Sequence, residues 1–191
     1  IHVDGMSGFK CSSLWQGYKG AYIFVDDYSD TTIVIGYRHK SKYLDCLKEY
    51  IRIRSKTCDI KSVKFNIKSD YASELSQGIT KIWCRDNNIN LIHSSPHQPE
   101  ENSVAENKVK IIKAKARSIM ADGGLLPSMW FLALQAACHL HELSPLRKQD
   151  HKQTPYELDG RGTPDVSHLR IIGCATWFYN YSSGKLDFHS P

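Results

Sequence analysis

The stretch AYIFVDDYSDTTIVIGY, residues 21–37, contains two runs of β-branched and aromatic residues around a short polar segment. Such runs are typical of β-strands, because their side chains fit a pleated, half-buried surface. We predict strands at residues 21–28 and 31–37, joined by a turn at Ser29 and Asp30. The two strands then form a hairpin near the start of the chain.

Outward from this hairpin, strands alternate with helices before the chain becomes mostly helical. An earlier strand is predicted around Asp4, and later strands at residues 62–67, at 91–93 and from Leu169. Apolar residues at helical spacing predict helices that include residues 44–51, 75–87, 105–119 and 128–142. This order predicts an α/β fold in which a mixed sheet is flanked by helices.

The longest predicted helix has a continuous apolar stripe and a defined end. Gly123 and Gly124 stop the helix, as glycine commonly does at a helix C-terminus. The stripe is expected to pack in the core. Its residues are Ala105, Val109, Ile112, Ala116 and Ile119.

The composition limits the class of protein. A chain of 191 residues with 41% hydrophobic content suits one domain of roughly 150 residues plus a short extension. The net charge of +5 permits a polyanionic partner. The six cysteines lie far apart without a C-x-x-C pair, which favours reduced thiols. No apolar run approaches the roughly 20 residues that cross a bilayer, so no membrane partner is expected. Since the chain begins with Ile1, we interpret it as a piece of a longer polyprotein.

Three acids are expected to meet in the predicted fold. Asp4 lies on or just after the first strand, Asp70 follows the fourth, and Glu106 lies at the start of the long helix. Phosphoryl transfer with two metals needs carboxylates that share ions about 3.5–4 Å apart, and strand ends and helix starts hold side chains rigidly. The chain has 20 Asp and Glu residues, so spacing alone is a weak signal.

The segments around these acids resemble the integrases of copia-type LTR retrotransposons. KSDYASE is similar to the family's RSDNGGE, and PHQPEENSVAENK to its PYTPQQNGVAERK. The other similar segments follow in the family's order and span nearly the whole chain. The segments are residues 21–29, 68–74, 96–108, 126–130, 154–157 and 166–174.

The resemblance implies a ribonuclease-H-like core, built on a mixed five-stranded sheet, over residues 1–163. It implies that residues 164–191 begin a truncated, small SH3-like β-domain. It also implies that Asp4, Asp70 and Glu106 are catalytic and bind Mg²⁺ or Mn²⁺, two ions per site. Asp70 and Glu106 have the family's spacing of 35 intervening residues.

The implied activity is DNA integration, meaning 3′-end processing followed by strand transfer. The implied partners are the element's DNA ends, the target DNA and further copies of the chain. The implied location is the nucleus, after passage through cytoplasmic virus-like particles. A ribonuclease H shares the fold, but the segment from Pro96 to Glu106 disfavours it.

Two other interpretations remain, an assembly piece of a larger multimer and an inactive or domesticated relic that only binds DNA. Where the family has Asn-Gly-Gly, this chain has Tyr71, Ala72 and Ser73. Ser103 replaces a further glycine, and Asn107 replaces a basic residue. These departures favour the relic, because glycine allows backbone conformations that other residues rarely adopt.

The remaining charged residues divide into a basic face and scattered groups. Lys110, Lys113 and Arg117 share a helical face with Glu106 and are predicted to bind DNA phosphates, although a merely solvated face is the alternative. Lys108 and Lys115 are expected to be solvated. Further expectations concern three other groups. Asp26, Asp27 and Glu74 should support the site or a turn, His139 and His141 should not bind zinc, and Trp15, Trp83, Trp130 and Trp177 should pack internally.

Overall fold

Five strands and five α-helices lie within the ranges that the computed structural model describes, residues 1–57, 65–69, 78–93, 103–146 and 153–175. Short 3-10 turns precede two of the helices, at Lys40–Lys42 and Pro127–Met129. In chain order the elements are β1 His2–Met6, β2 Gly20–Val25, β3 Thr32–Tyr37, α1 Tyr43–Arg54, β4 Phe65–Ser69, α2 Gly78–Asp86, β5 Ile89–His93, α3 Ser103–Asp122, α4 Trp130–Glu142 and α5 Pro155–Leu158.

The five strands form one mixed sheet in the order β3-β2-β1-β4-β5. β1 pairs antiparallel with β2, which pairs antiparallel with β3. On its other edge β1 pairs parallel with β4, and β4 pairs parallel with β5. The predicted α/β fold, a mixed five-stranded sheet flanked by helices, is therefore confirmed.

Alternating residues of β2 face two different helical layers. Ile23 and Val25 belong to a buried cluster with residues of α3 and α4. Tyr22 and Phe24 belong to a second cluster with α1. Because successive side chains of a strand point to opposite faces, the sheet is sandwiched between these helices. All six residues of β2 are buried, as expected for a strand covered on both faces.

The hairpin turn is longer than the sequence predicts, since it spans residues 26–31 rather than two residues. The Asp26 carboxylate accepts hydrogen bonds from the Ser29 backbone nitrogen at 3.1 Å and from the Ser29 hydroxyl at 2.6 Å. Asp30 has a left-handed backbone with φ of 61°, a conformation that aspartate tolerates better than most residues. The strand ends at Val25, and the Asp26 backbone closes the turn, because its nitrogen bonds the Thr31 carbonyl and its carbonyl accepts from the Asp30 nitrogen, both at 2.9 Å.

The long helix α3 has the predicted stripe and the predicted stop. Val109, Ile112 and Ala116 are buried in the core cluster, and Ile119 packs against it. Ala105 is fully buried as well. At its end the Leu125 nitrogen bonds the Met120 carbonyl at 3.0 Å around Gly124, whose φ is 58°. This closure, with a left-handed glycine after the last turn, uses carbonyls that the helix leaves without a partner.

The segment after α5 is tied to the core by a buried ion pair. Both carboxylate oxygens of Asp159 accept hydrogen bonds from Arg54 Nη1, at 2.7 and 2.8 Å. Arg161 Nε lies 3.2 Å from Asp159 as well, and Arg161 Nη2 bonds Glu142 at 2.9 Å. α5 itself begins with a capping box, in which Thr154 and Glu157 bond each other's backbone nitrogens. The segment after α5 is thus attached to the ends of α1 and α4.

The strand predicted from Leu169 does not form over residues 169–175. These residues make a turn in which the Cys174 nitrogen bonds the Ile171 carbonyl at 3.1 Å and Gly173 has φ of 91°. The turn lies directly on the end of α3, where a Cβ on Gly173 would come within 2.6 Å of the Gly123 carbonyl oxygen. The backbones of Gly123 and Gly173 are therefore in close contact. Residues 176–191 lie outside the described ranges, and the small β-domain over 164–191 stays a prediction.

Candidate active site

Asp4 occupies the middle of β1 and lies on the sheet face that α3 covers. Its neighbour Val3 packs in the cluster with α1, whereas Met6 packs in the cluster with α3 and α4. Alternation along the strand therefore places the Asp4 carboxylate on the α3 side. The side chain is partly exposed, and one of its oxygens accepts a hydrogen bond from the Gly5 nitrogen at 2.6 Å.

Glu106 lies in the first turn of α3 and is exposed. A helix N-terminus carries partial positive charge from its unpaired backbone N–H groups, so an acid there is favourable. The helix packs against β1 and β2, and Ala105, one residue before Glu106, is fully buried. A rigid element thus holds the Glu106 backbone.

Asp4 and Glu106 line one cavity of about 600 Å³. Three basic residues of α3, at four, seven and eleven residues after Glu106, line the same cavity, as does apolar Val109. The structure therefore brings together the acids of β1 and α3 and the predicted basic face. The basic residues are Lys110, Lys113 and Arg117.

Asp70 lies outside the described residues. Its neighbour in the chain, Ser69, is the last residue of β4 and pairs with Val3, the residue before Asp4. The parallel pairing of β4 with β1 therefore ends directly beside the start of the acidic site. Among the described residues, no group of three His, Cys, Asp or Glu side chains is close enough to hold a metal ion.

The donor atoms that line the cavity suit a hard divalent cation. Asp4 and Glu106 offer carboxylate oxygens, and within the described part of the chain no histidine or cysteine lines the cavity. Mg²⁺ binds through one or two carboxylates together with waters and substrate phosphate, whereas zinc prefers nitrogen and sulfur. The residues present thus fit Mg²⁺ or Mn²⁺.

The additional acids of the β2–β3 turn serve local structure. Asp26 bonds Ser29 within the turn, and the Asp27 carboxylate lies 3.3 Å from His2 Nε2. Burial lowers the pKa of His2 although Asp27 opposes that effect. Neither acid lines the cavity of Asp4, which agrees with the prediction that they support a turn. Glu74 lies outside the described residues.

The prediction that Lys108 and Lys115 are solvated is wrong. Lys108 Nζ forms an ion pair with Asp30 Oδ2 and lies 3.0 Å from His141 Nε2, with the Lys108 side chain only 10% exposed. Lys115 Nζ lies 3.3 Å from His141 Nδ1. Burial lowers the pKa of Lys115, and the nearby Lys108 charge lowers it further. For Asp30, burial alone would raise the pKa, but hydrogen bonds with His141 and Lys108 outweigh it and lower the pKa.

Helical spacing could not reveal this cluster, because its partners come from distant parts of the chain. Asp30 is supplied by the β2–β3 turn and His141 by α4. In the sequence, Asp30 indicated only a turn. His139, by contrast, is exposed. That neither histidine binds zinc stays a prediction.

The tryptophans are only partly as expected. Trp130 is 4% exposed and donates a hydrogen bond to the Cys11 carbonyl at 3.0 Å, and Trp83 packs against the α1-side cluster. The prediction that Trp15 packs internally is wrong, since Trp15 is 73% exposed. Its φ of 66° belongs to a tight turn in the β1–β2 connection, which directs the side chain to solvent. Trp177 lies outside the described residues.

Two further sequence expectations concern thiols and membranes. The cysteines within the described ranges are all unbridged: Cys11, Cys46, Cys84, Cys138 and Cys174. Burial raises the pKa of the Cys46 and Cys84 thiols to about 11 and that of Cys138 to about 12, which makes them poor nucleophiles. Within the same ranges, no helix combines the length and hydrophobicity that a bilayer crossing requires.

Comparison with solved structures defines the class of this fold. The catalytic core of BIV integrase aligns over 84% of this chain and 92% of its own, with TM-score 0.58 and 15% identity. The HTLV-2 integrase catalytic core, solved in complex with magnesium in a trimeric form, aligns over 83% and 95%, with TM-score 0.59 and 15% identity. A simian T-cell lymphotropic virus intasome chain gives TM-score 0.66 and 18% identity, over 94% of this chain and 58% of its own. The fold is that of integrase catalytic cores, which is ribonuclease-H-like.

Curated relatives narrow this class. The Pol polyprotein of transposon TNT 1-94 from Nicotiana tabacum is 25% identical over 158 residues, which is 83% of this chain. The Pol polyprotein of transposon RE1 from Arabidopsis thaliana is 23% identical over 176 residues, 90% of this chain. The chain spans 12% of the length of each polyprotein. No protein-family model matches the sequence. Sequence and fold together support an integrase core of the retrotransposon type.

Proposed function

We propose that this chain is the catalytic core of a retrotransposon integrase, a metal-dependent polynucleotidyl transferase that trims DNA 3′ ends and joins them to target DNA. The observation that carries the proposal is the single cavity in which Asp4 and Glu106 face the basic side of α3. Carboxylates beside cations match a phosphodiester substrate, since acids bind the metal and bases bind the phosphates.

Each cavity residue then has a separate role. Asp4 and Glu106, with Asp70 as third acid, would hold divalent ions, two per site. Bound there, such ions activate a water or a 3′-hydroxyl and stabilise charge at the phosphate. Lys110, Lys113 and Arg117 would bind the DNA backbone and set its position relative to the acids. Val109 adds an apolar side chain to the lining.

The partners and location follow from the same proposal. The DNA ends of the element and the target DNA are its substrates, and further copies of the chain complete an integrating assembly. The HTLV-2 core, which is similar in fold, is known in trimeric and dimeric forms. Integration into chromosomal DNA requires the nucleus, reached from cytoplasmic virus-like particles.

Metal-linked stability gives the first test. A ligand at one hundred times its dissociation constant stabilises a fold by about 2.7 kcal/mol, and a domain of this size shifts by roughly 2–4 °C per kcal/mol. We therefore expect saturating Mn²⁺ to raise the Tm by about 5–11 °C. Glu106→Gln should remove most of this rise. Glu49→Gln, which neutralises an exposed acid on α1, should keep it. Equal shifts in all three proteins would contradict the metal site.

Cleavage of labelled DNA ends with Mn²⁺ gives the second test. The wild-type chain, joined to the flanking domains of its polyprotein, should release the terminal nucleotides, and Glu106→Gln should not. If wild type binds the DNA and metal but yields no product, the alternative holds and the chain is an inactive core that binds DNA or serves assembly. Ser103, at the first position of α3, stands where the copia-type motif has glycine, which favours this alternative.

A further inference from the structure

A buried charge cluster joins the start of α3 to two other elements. Lys108 lies in the second turn of α3, and its side chain is 10% exposed. It pairs with Asp30 Oδ2 from the β2–β3 turn, and both approach His141 of α4, whose side chain is 9% exposed. Each of the three elements thus supplies one member of the cluster, which lies on the opposite side of the helix from the proposed metal site.

The hydrogen bonds of His141 define how the cluster is connected. His141 Nε2 lies 3.0 Å from Asp30 Oδ2, and His141 Nδ1 lies 3.3 Å from Lys115 Nζ. Because an ammonium group only donates, Nδ1 accepts from Lys115, and in the neutral ring Nε2 then carries the hydrogen and donates to Asp30. Lys108 Nζ also lies 3.0 Å from Nε2, but with this tautomer it donates to Asp30 and not to the ring. Asp30 Oδ2 therefore accepts from both Lys108 and His141. These hydrogen bonds depend on the direction in which each side chain points, whereas apolar contacts do not.

The apolar stripe of α3 does not by itself determine the rotation of the helix. Burial of apolar surface is non-directional, and the buried stripe carries small alanine side chains at Ala105 and Ala116. A rotation of roughly 10° at a radius of about 5–6 Å moves a side-chain atom by roughly 1 Å. Glu106 is displaced by such a rotation, and a shift of about 1 Å at a reacting group can cost roughly a hundredfold in rate.

We propose that Lys108, through its pairing with Asp30 and His141, is a positioning residue that fixes the rotation of α3 and thereby the place of Glu106 opposite Asp4. Glu106 and Lys108 are two residues apart, hence about 200° apart around the helix. The ion pair on one side therefore determines where the carboxylate lies on the other. This inference rests on the proposed function, because it assumes that Glu106 binds the metal.

The test measures the Mn²⁺ dissociation constant of the 191-residue chain by calorimetric titration. Lys108→Met and Asp30→Asn should each weaken Mn²⁺ binding about tenfold, the lower range for residues that orient metal ligands. The double variant should be weakened about tenfold too, not a hundredfold, because both changes break the same contact. Asp30→Asn keeps the test open if Lys108→Met does not fold.

Arg54→Met is the matched control, since it breaks another buried ion pair, with Asp159, that does not include α3. It should lower the Tm while leaving the Mn²⁺ dissociation constant within about twofold of wild type. Wild-type affinity in Lys108→Met or Asp30→Asn would overturn the positioning role. So would equal weakening in Arg54→Met, because the effect would then reflect lost stability. Absence of Mn²⁺ binding in the wild-type chain would instead overturn the proposed function, and the inference with it.

Discussion

Replacing Asp159 with asparagine should destabilise the fold by about 3–5 kcal/mol, the range for breaking a buried ion pair on one side. The Asp159 side chain is 4% exposed and its partner Arg54 is 8% exposed, so water cannot replace the lost carboxylate. Arg161 Nε lies 3.2 Å from the same carboxylate. The substitution therefore leaves one buried guanidinium, and a second partly buried one, without their shared counter-charge.

Thermal unfolding followed by circular dichroism measures the effect. With roughly 2–4 °C per kcal/mol for a chain of this size, Asp159→Asn should lower the Tm by about 6–20 °C. Glu49→Gln breaks a pair of similar length, 2.6 Å to Arg52, whose side chains are 41% and 59% exposed. Helix pairs of that kind contribute only about 0.3–0.5 kcal/mol, so its Tm should fall by roughly 2 °C or less. If the two variants melt within 2–3 °C of each other, burial does not govern the strength of these pairs and the reasoning fails.

Three further predictions concern DNA, acid and activity. Changing Lys110 and Lys113 together to Glu should weaken DNA binding at low salt for every DNA sequence. It should also reduce the slope of log affinity against log salt by roughly one per lost phosphate contact. An unchanged slope would mean that these lysines are solvated and do not contact DNA. Because the pKa of Asp30 is lowered in the folded state, its contribution to stability is present above the unfolded value of about 3.9 and is lost as pH falls below it. The difference in urea stability between wild type and Asp30→Asn should thus shrink below about pH 4, and a constant difference from pH 7 to pH 3 would contradict the shift. Restoring Asn-Gly-Gly at residues 71–73 and Gly at Ser103 should raise Mn²⁺-dependent strand transfer if this copy has decayed, whereas equal activity in the unmodified protein would show that those glycines are dispensable.

The sequence predicted the elements that bring the acidic site together. Periodicity located α3, and its stripe proved to be buried from Ala105 to Ala116. The strand order then placed Asp4 beside Glu106, because β1 is central and α3 packs on the face that Asp4 occupies. These features depend on local repeats of side-chain type, which a single sequence displays. The resemblance to copia-type integrases indicated which of the 20 acids to consider as catalytic, namely Asp4, Asp70 and Glu106.

The sequence did not predict contacts whose partners lie far apart in the chain. Helical spacing shows that Lys108 and Glu106 lie on different faces of α3. It does not show that Asp30 and His141 lie next to Lys108. A lysine on a helix is usually solvated, and only the packing of three elements makes this one buried. Trp15 illustrates the converse. Tryptophan usually packs internally, but the turn that contains Trp15 leaves its side chain exposed.

The glycine contact at the far end of α3 gives the helix a second mechanical role. Gly123 and Gly173 touch through their backbones, with no room for a Cβ on either. Gly123 lies 17 residues beyond Glu106, which is about 25 Å along a helix. α3 is one continuous helix from Ser103 to Asp122, so Glu106 and the residue before Gly123 belong to the same element. A methyl group added at Gly173 has to displace either the turn or the end of α3. We expect part of that displacement to reach the cavity through the helix, although Gly173 does not line it.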